Sequence, residues 1–173
     1  VLNINNMTYI CPLDFPELVT ASYNAYARVL KMTIPDYSQF TSLDTAKAVV
    51  PVAALSSGDD GNTIDETIDY NLDTRWSCEG ENVWAKYDLG SVYDLDYTQI
   101  YWKSGNVRKS YFDILVSDDD VNYKQVFSGE SSGTTDGFEK FDINAPARFV
   151  KIVCHGNSIS KWNSIGEIFI MRK

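Results

Sequence analysis

Residues 98–127 read TQIYWKSGNVRKSYFDILVSDDDVNYKQVF, and they decide the fold class. Three runs rich in aromatic and β-branched residues, Thr98 to Lys103, Tyr111 to Ser117 and Tyr123 to Phe127, are parted by turns built from Gly, Asn and Asp. That is the punctuation of short strands. Working outward, the same texture recurs at Val83 to Leu89, Phe138 to Ile143, Arg148 to Cys154 and Ser164 to Met171, with a Ser/Gly/Thr-rich connection from Ser128 to Gly137. Parallel strands would need crossover helices, and nothing after Val52 has helical periodicity, so the strands are expected to pair antiparallel. The expected fold is all-β, an antiparallel jelly-roll β-sandwich over residues 52–173, with ligand-reading loops at one end.

Residues 1–51 have a different texture. Between Glu17 and Met32 the apolar residues Leu18, Ala21, Ala25, Val29 and Met32 recur at three- and four-residue intervals with no Gly or Pro between them, which predicts an amphipathic helix. A shorter helical turn is expected within Leu43 to Val50. This partly helical segment reads as a linker or the tail of a preceding domain. The start Val1-Leu2-Asn3 carries neither an initiator Met nor a signal pattern, so the chain is expected to be part of a longer protein. At 173 residues it holds one sizeable core. It contains no apolar run of membrane-spanning length.

The formal net charge is −9 and the isoelectric point is near 4.5, which argues against nucleic acid as partner. The acids concentrate between Ser56 and Tyr97, where only Arg75 and Lys86 oppose them; from Thr98 onward the two signs nearly balance. A cation site in the first stretch and a surface tolerant of anions in the second become candidates, against the plainer reading of a solvated acidic surface. The three cysteines, Cys11, Cys78 and Cys154, are too few for a disulfide scaffold. Cys78 and Cys154 are either bridged or, as is commoner, small buried hydrophobes.

Specific family features lie in the connections. The run Thr67-Ile68-Asp69-Tyr70-Asn71-Leu72-Asp73-Thr74-Arg75-Trp76-Ser77, followed by Trp84 to Gly90, resembles the opening signature of the discoidin, or coagulation factor 5/8 type C, superfamily. Phe112 to Ser117 with the Asp118 to Tyr123 turn, and Ala147-Arg148-Phe149-Val150-Lys151-Ile152, resemble its later strands. His155-Gly156-Asn157 and Trp162 to Ile168 are most similar to family 32 carbohydrate-binding modules found beside alginate lyases. The resemblance covers roughly Val52 to Met171.

It implies a structural Ca²⁺ held by the side chains of Asp69 and Thr74, by backbone carbonyls near Thr67, Asn71 and Thr74, and by Glu167 from the last strand. A hard cation wants such a set of oxygens in one loop, and the alternative is an Asx-type turn without metal. Asn71 stands where the family often has Asp. The family pattern places Trp76 and Trp84 in the core.

Ligand contacts are expected where basic, amide and aromatic side chains collect in turns: Tyr101, Trp102, Lys103, Asn106, Arg108 and Lys109 in one connection, His155, Asn157, Lys161, Trp162 and Asn163 in another. An acidic sugar needs a cation for its carboxylate, amide or imidazole groups for hydroxyls and a flat apolar surface for its ring. No nucleophile elbow, zinc-protease or phosphate-loop motif occurs, and no acid/base pair can be placed by spacing, so binding is expected rather than catalysis.

The expected role is a secreted, non-catalytic module that carries an attached polysaccharide-degrading enzyme, an alginate lyase by resemblance, to a polyuronate such as alginate. Two rivals stand beside it. A galactose or N-acetylhexosamine ligand needs the His, Asn and aromatic set without Lys103 or Arg108. An adhesion-type discoidin domain that binds protein or lipid needs exposed apolar loop tips, which the sequence does not identify.

Overall fold

The computed structural model describes residues 45–173 and, ahead of them, only the backbone of four short segments. These are the strands β1 (Leu2–Ile4), β2 (Met7–Tyr9), β3 (Thr20–Asn24) and β4 (Val29–Thr33), paired as two antiparallel hairpins. The helix expected over Glu17 to Met32 is therefore corrected across Thr20–Asn24 and from Val29 onward. Thr20, Tyr23, Val29 and Thr33 are strand-preferring residues, and here that preference overrides the helical spacing. The remainder of that expected helix lies outside the described residues, as does Cys11.

The chain divides into two compact units, Val1–Ser42 and Leu43–Lys173. In the second, a short 3₁₀ turn at Thr45–Lys47 leads into β5 (Ala48–Val49), which pairs with Ile170 and Met171 near the C-terminus. This unit thus takes in residues ahead of the boundary expected at Val52. The remaining strands are β6 (Ala53–Ser56), β7 (Trp76–Glu79), β8 (Val83–Trp102), β9 (Ser110–Ser117), β10 (Lys124–Glu130), β11 (Phe138–Asn157) and β12 (Trp162–Arg172).

All pairings are antiparallel. The expected strands on either side of residue 90 are one continuous β8, and those on either side of residue 145 are one continuous β11, each 20 residues long. The two run side by side, with register slips at 142–145 and 147–149. Gly90 and Asn144, at positive φ of 77° and 50°, lie beside the bend. Gly is the residue that takes such a φ without strain. Across the bend Arg148 donates two 2.8 Å hydrogen bonds to the Asp88 carboxylate. One half of the β8/β11 ribbon pairs with β6 and β9, and β9 with β10; the other half pairs with β12, which carries β5 and β7.

These two leaves make the sandwich, and the alternation of buried and exposed residues along β9 and β11 is that of strands with one face on a core. Trp76, Tyr87, Leu95, Ile100, Trp102, Phe112, Ile114 and Ile152 fill the core. Trp76 is fully buried as expected, its indole N–H donating to the Gly58 carbonyl. Trp84 departs from expectation. It is only half-buried, on the outer face of β8, with the ammonium groups of Lys86 and Lys151 5.9 and 5.6 Å from its ring centroid. The strand period explains this, because Ala85 and Tyr87 point inward and their even-numbered neighbours point out. Cys78 and Cys154 are free thiols, Cys154 fully buried and its thiol pushed up by that burial.

Candidate functional site

The segment from Asp69 to Arg75 links β7 to the 3₁₀ turn at Ile64–Thr67, which is anchored by buried Ile64 and Thr67. Tyr70 adopts φ of 61°, a strained conformation for a bulky residue. It presents its N–H to the Glu167 carboxylate at 3.1 Å. The Thr74 hydroxyl lies 2.9 and 3.1 Å from the two Asp69 oxygens and 2.7 Å from the Asn71 carbonyl. One hydroxyl proton cannot satisfy three acceptors, and with the Asn71 N–H on Asp69 Oδ1 and the Thr74 N–H on the Asn71 carbonyl the loop still holds more oxygen lone pairs than donors.

Glu167 on β12 closes the loop from below, with no solvent exposure and with Oε1 lacking a partner. Burial, and then the nearby Asp69 charge, push its carboxyl up to about 10. Burial also raises the Asp69 carboxyl, against the hydrogen bond from Thr74. The donor set fits a hard divalent cation: two carboxylates, a hydroxyl and a carbonyl, with a buried oxygen left over. Among the described residues no group of three or more Asp, Glu, His or Cys side chains gathers for a metal, so such a site depends on its carbonyl and hydroxyl oxygens. The Thr67 hydroxyl is engaged elsewhere, donating to the Ile64 carbonyl and meeting the Tyr87 hydroxyl at 2.9 Å, so Thr67 offers the loop only the backbone carbonyl expected of it. The Asn71 side chain is spent on the Asp73 N–H.

Beside this loop opens a cleft of about 390 Å³ lined by Asp60, Arg75, Ser77, Lys103, Ser104, Arg108, Trp162 and Ser164. Three cations face one carboxylate. Lys103, in the turn after β8, donates to the Leu72 and Asp73 carbonyls at 3.2 and 3.4 Å. Arg108 donates from Nη2 to the Lys103 carbonyl at 3.2 Å and keeps a buried Nε without a partner. Burial, followed by the Arg75 charge, lowers its pKa. A partly desolvated Arg108 guanidinium with the Arg75 charge beside it makes a receptor for an anion. Half-buried Trp162 adds an aromatic wall.

Of the residues expected to touch ligand, Lys103, Arg108 and Trp162 line the cleft. Tyr101 does not. It is 7% exposed and covers Gly166, where a Cβ would come within 2.4 Å of its ring. Trp102 is a core residue. Asn157 and Asn163 are buried and fully employed in holding turns. The Asn157 amide donates to the Ser160 hydroxyl and the Trp162 carbonyl, and its oxygen accepts from the N–H groups of Ile159 and Ser160. The Asn163 oxygen accepts from Gly156, and its nitrogen donates to the Cys78, Gly80 and Lys161 carbonyls.

His155 pairs with Asp113 at 2.9 Å. Lys109 pairs with Glu130. Asn106 and Lys161 are exposed and do not line the cleft. Arg75, Asp60, Ser77 and Ser164 were missed. The signal for Arg75 was present: it is the one base in the acidic loop, one residue beyond a candidate cation ligand.

The F5/8 type C domain model matches residues 51–168. The chain belongs to the F5/8 type C domain family. Among solved F5/8 type C-like structures, the family 32 carbohydrate-binding module of AlyQ, in complex with 4,5-unsaturated mannuronic acid, is 39% identical with a TM-score of 0.69, over 71% of this chain and 96% of that one. A truncated AlyQ with its binding module and alginate lyase domain is 38% identical with a TM-score of 0.71, over 72% of this chain and 33% of that one. A pectin-binding carbohydrate-binding module is 28% identical with a TM-score of 0.67, over 69% of this chain and 89% of that one. No match was found among curated proteins. At 39% identity across nearly the whole of one such module, this F5/8 type C domain is a carbohydrate-binding module.

Proposed function

We propose that this module binds an acidic polysaccharide of the polyuronate class in the Arg75–Lys103–Arg108 cleft, on a loop held by Ca²⁺. Its role is to keep a covalently attached polysaccharide-degrading enzyme on that substrate outside the cell. The convergence of three cations on one cleft in a protein of net charge −9 carries this reading. The identity shared with modules solved with a mannuronic acid and described as pectin-binding agrees with it. Arg75 and Arg108 would take the sugar carboxylate, and Trp162 the face of the ring. The neutral-sugar alternative loses ground because His155, Asn157 and Asn163 are committed to Asp113 and to the turns.

The adhesion-type reading has one observation in its favour, the exposure of Val107 and Ile159 on two loops joined by the Ser158 N–H to Lys109 carbonyl bond. Binding to phosphatidylserine vesicles without binding to uronate would select it.

In the loop, Asp69, Thr74 and Glu167 with the Asn71 carbonyl would hold the cation. Ca²⁺ there would supply the positive charge that the surplus acceptors lack. Two experiments test the proposal. Affinity electrophoresis through alginate should retard the wild-type protein and leave Arg75→Ala/Arg108→Ala unretarded. A loss of charge-assisted bonds of about 1.5–3 kcal/mol each predicts that much, and equal retardation would exclude the cleft. Chelation should lower the melting temperature of the wild type and not of Asp69→Ala; no change in the wild type would exclude the cation.

A further inference from the structure

The candidate cation loop and the cleft are not separate features. The loop's ligating residues, Asp69, Asn71 and Thr74, bracket Leu72 and Asp73, whose carbonyls receive the Lys103 ammonium. Arg75 of the cleft follows Thr74 directly. Lys103 is tied further into the cleft on its other side. Its carbonyl accepts from Arg108 Nη2, and its N–H donates to the carbonyl of Ser164, another lining residue. A path of hydrogen bonds joined by short stretches of covalent chain therefore runs from Asp69 and Thr74, through the Leu72 and Asp73 carbonyls and Lys103, to Arg108.

We infer that cation occupancy of the 69–74 loop and acidic-sugar binding in the cleft are coupled equilibria, with Lys103 as the strut between them. This rests on the reading of both sites given above. Without a cation, three acceptors crowd the Thr74 hydroxyl and Glu167 Oε1 is buried unpartnered. A cation bound to these oxygens would fix the loop, and any shift of residues 70–74 carries with it the two carbonyls that aim Lys103 and the backbone that aims Arg75. An ammonium has three donors. Two are engaged by the loop, so where that loop sits sets how the ammonium is presented to the cleft that Lys103 lines. A cation that fixes the loop thereby prepays the ordering of the sugar site. The cation in this module acts on ligand affinity as well as on the stability of the fold.

Coupling of this kind is reciprocal, which gives the test. Binding of a mannuronate disaccharide is measured by calorimetry in Ca²⁺ and in chelator at matched ionic strength, with near-ultraviolet circular dichroism reporting that the fold is kept. Ca²⁺ affinity is measured with and without saturating disaccharide, after subtracting the disaccharide's own Ca²⁺ binding. The expectation is about tenfold weaker sugar binding without the cation, a usual coupling magnitude, and the same factor in Ca²⁺ affinity. Lys103→Met, which keeps the stem and removes the strut's donors, should retain Ca²⁺ binding while that factor falls to about one.

Equal disaccharide affinity in Ca²⁺ and chelator overturns the inference and leaves the cleft reading intact. An undiminished coupling factor in Lys103→Met overturns the path. Absence of disaccharide binding in every condition overturns the cleft reading, and the inference with it. Should the metal-free wild type lose its fold, the Ca²⁺ affinities of wild type and Lys103→Met with and without disaccharide decide the matter.

Discussion

Asn163, at the start of β12, and Arg108, in the turn after β8, look alike in sequence as candidate ligand contacts, yet their surroundings assign them opposite roles. Asn163 makes four hydrogen bonds to backbone groups from residues 78 to 161. Asn163→Ala would leave the buried Gly156 N–H and at least one carbonyl unpaired, at about 1–3 kcal/mol each. The expected outcome is a clearly lowered denaturation midpoint, with sugar affinity per folded molecule changed far less than in Arg75→Ala/Arg108→Ala. A variant with wild-type stability and no sugar binding would return Asn163 to the binding surface.

The sequence shows an amide-rich turn but not whether its amides face ligand or backbone. The one hint lay in Gly156, at positive φ of 87° with its position hemmed by the Ser160 carbonyl, which marks a turn needing internal support. Lys103 and Arg108 were legible because bases cluster in a turn between strands. Asp60 and Ser164 were not, since they are gathered there by the pairing of β12 with β7, Ser77 opposite Ser164, and with β8, Ile165 opposite Trp102.

At the level of elements, the bend in the β8/β11 ribbon sets the geometry of the sandwich, and Asp88–Arg148 spans it. The Asp88 carboxyl is held below its usual value chiefly by the Arg148 hydrogen bonds, against desolvation and with help from the Gly90 N–H. A depressed carboxylate contributes stability above its unfolded pKa of about 3.9 and loses it as pH falls through the folded value. Asp88→Asn should therefore be less stable than wild type at pH 7. Its deficit should shrink as the pH is lowered from about 5 towards 2, as urea midpoints would show. Arg148 is 40% exposed, so solvent screening keeps the deficit at neutral pH to about 1 kcal/mol or less. A deficit that grew in acid would contradict this account of the bend.

The strands expected from alternation and turn punctuation were legible where one face is buried, as along β9 and β11, and from their aromatic and β-branched content elsewhere, since β10 holds no buried residue and β12 is buried on both faces. Strands β5, β6 and β7 were not, being two to four residues long and defined by the partner they join. The continuity of β8 and β11 through their bends was hidden by Gly90 and by Asn144 and Pro146, which read as breaks.

Across the whole molecule, charge separates from function. The chain is acidic, which disfavours a polyanion at long range, while its cleft gathers Arg75, Lys103 and Arg108 at short range. An acidic glycan must then be held by local, partly desolvated contacts, and salt should weaken binding through those few contacts. The most direct measurement is calorimetric titration of the intact chain, with Ca²⁺ present, using mannuronate oligosaccharides beside galactose and N-acetylhexosamine oligomers at two salt concentrations. The account predicts heat from the uronates alone, with affinity falling as salt rises. Heat from the neutral sugars alone, or from no sugar at all, would contradict it.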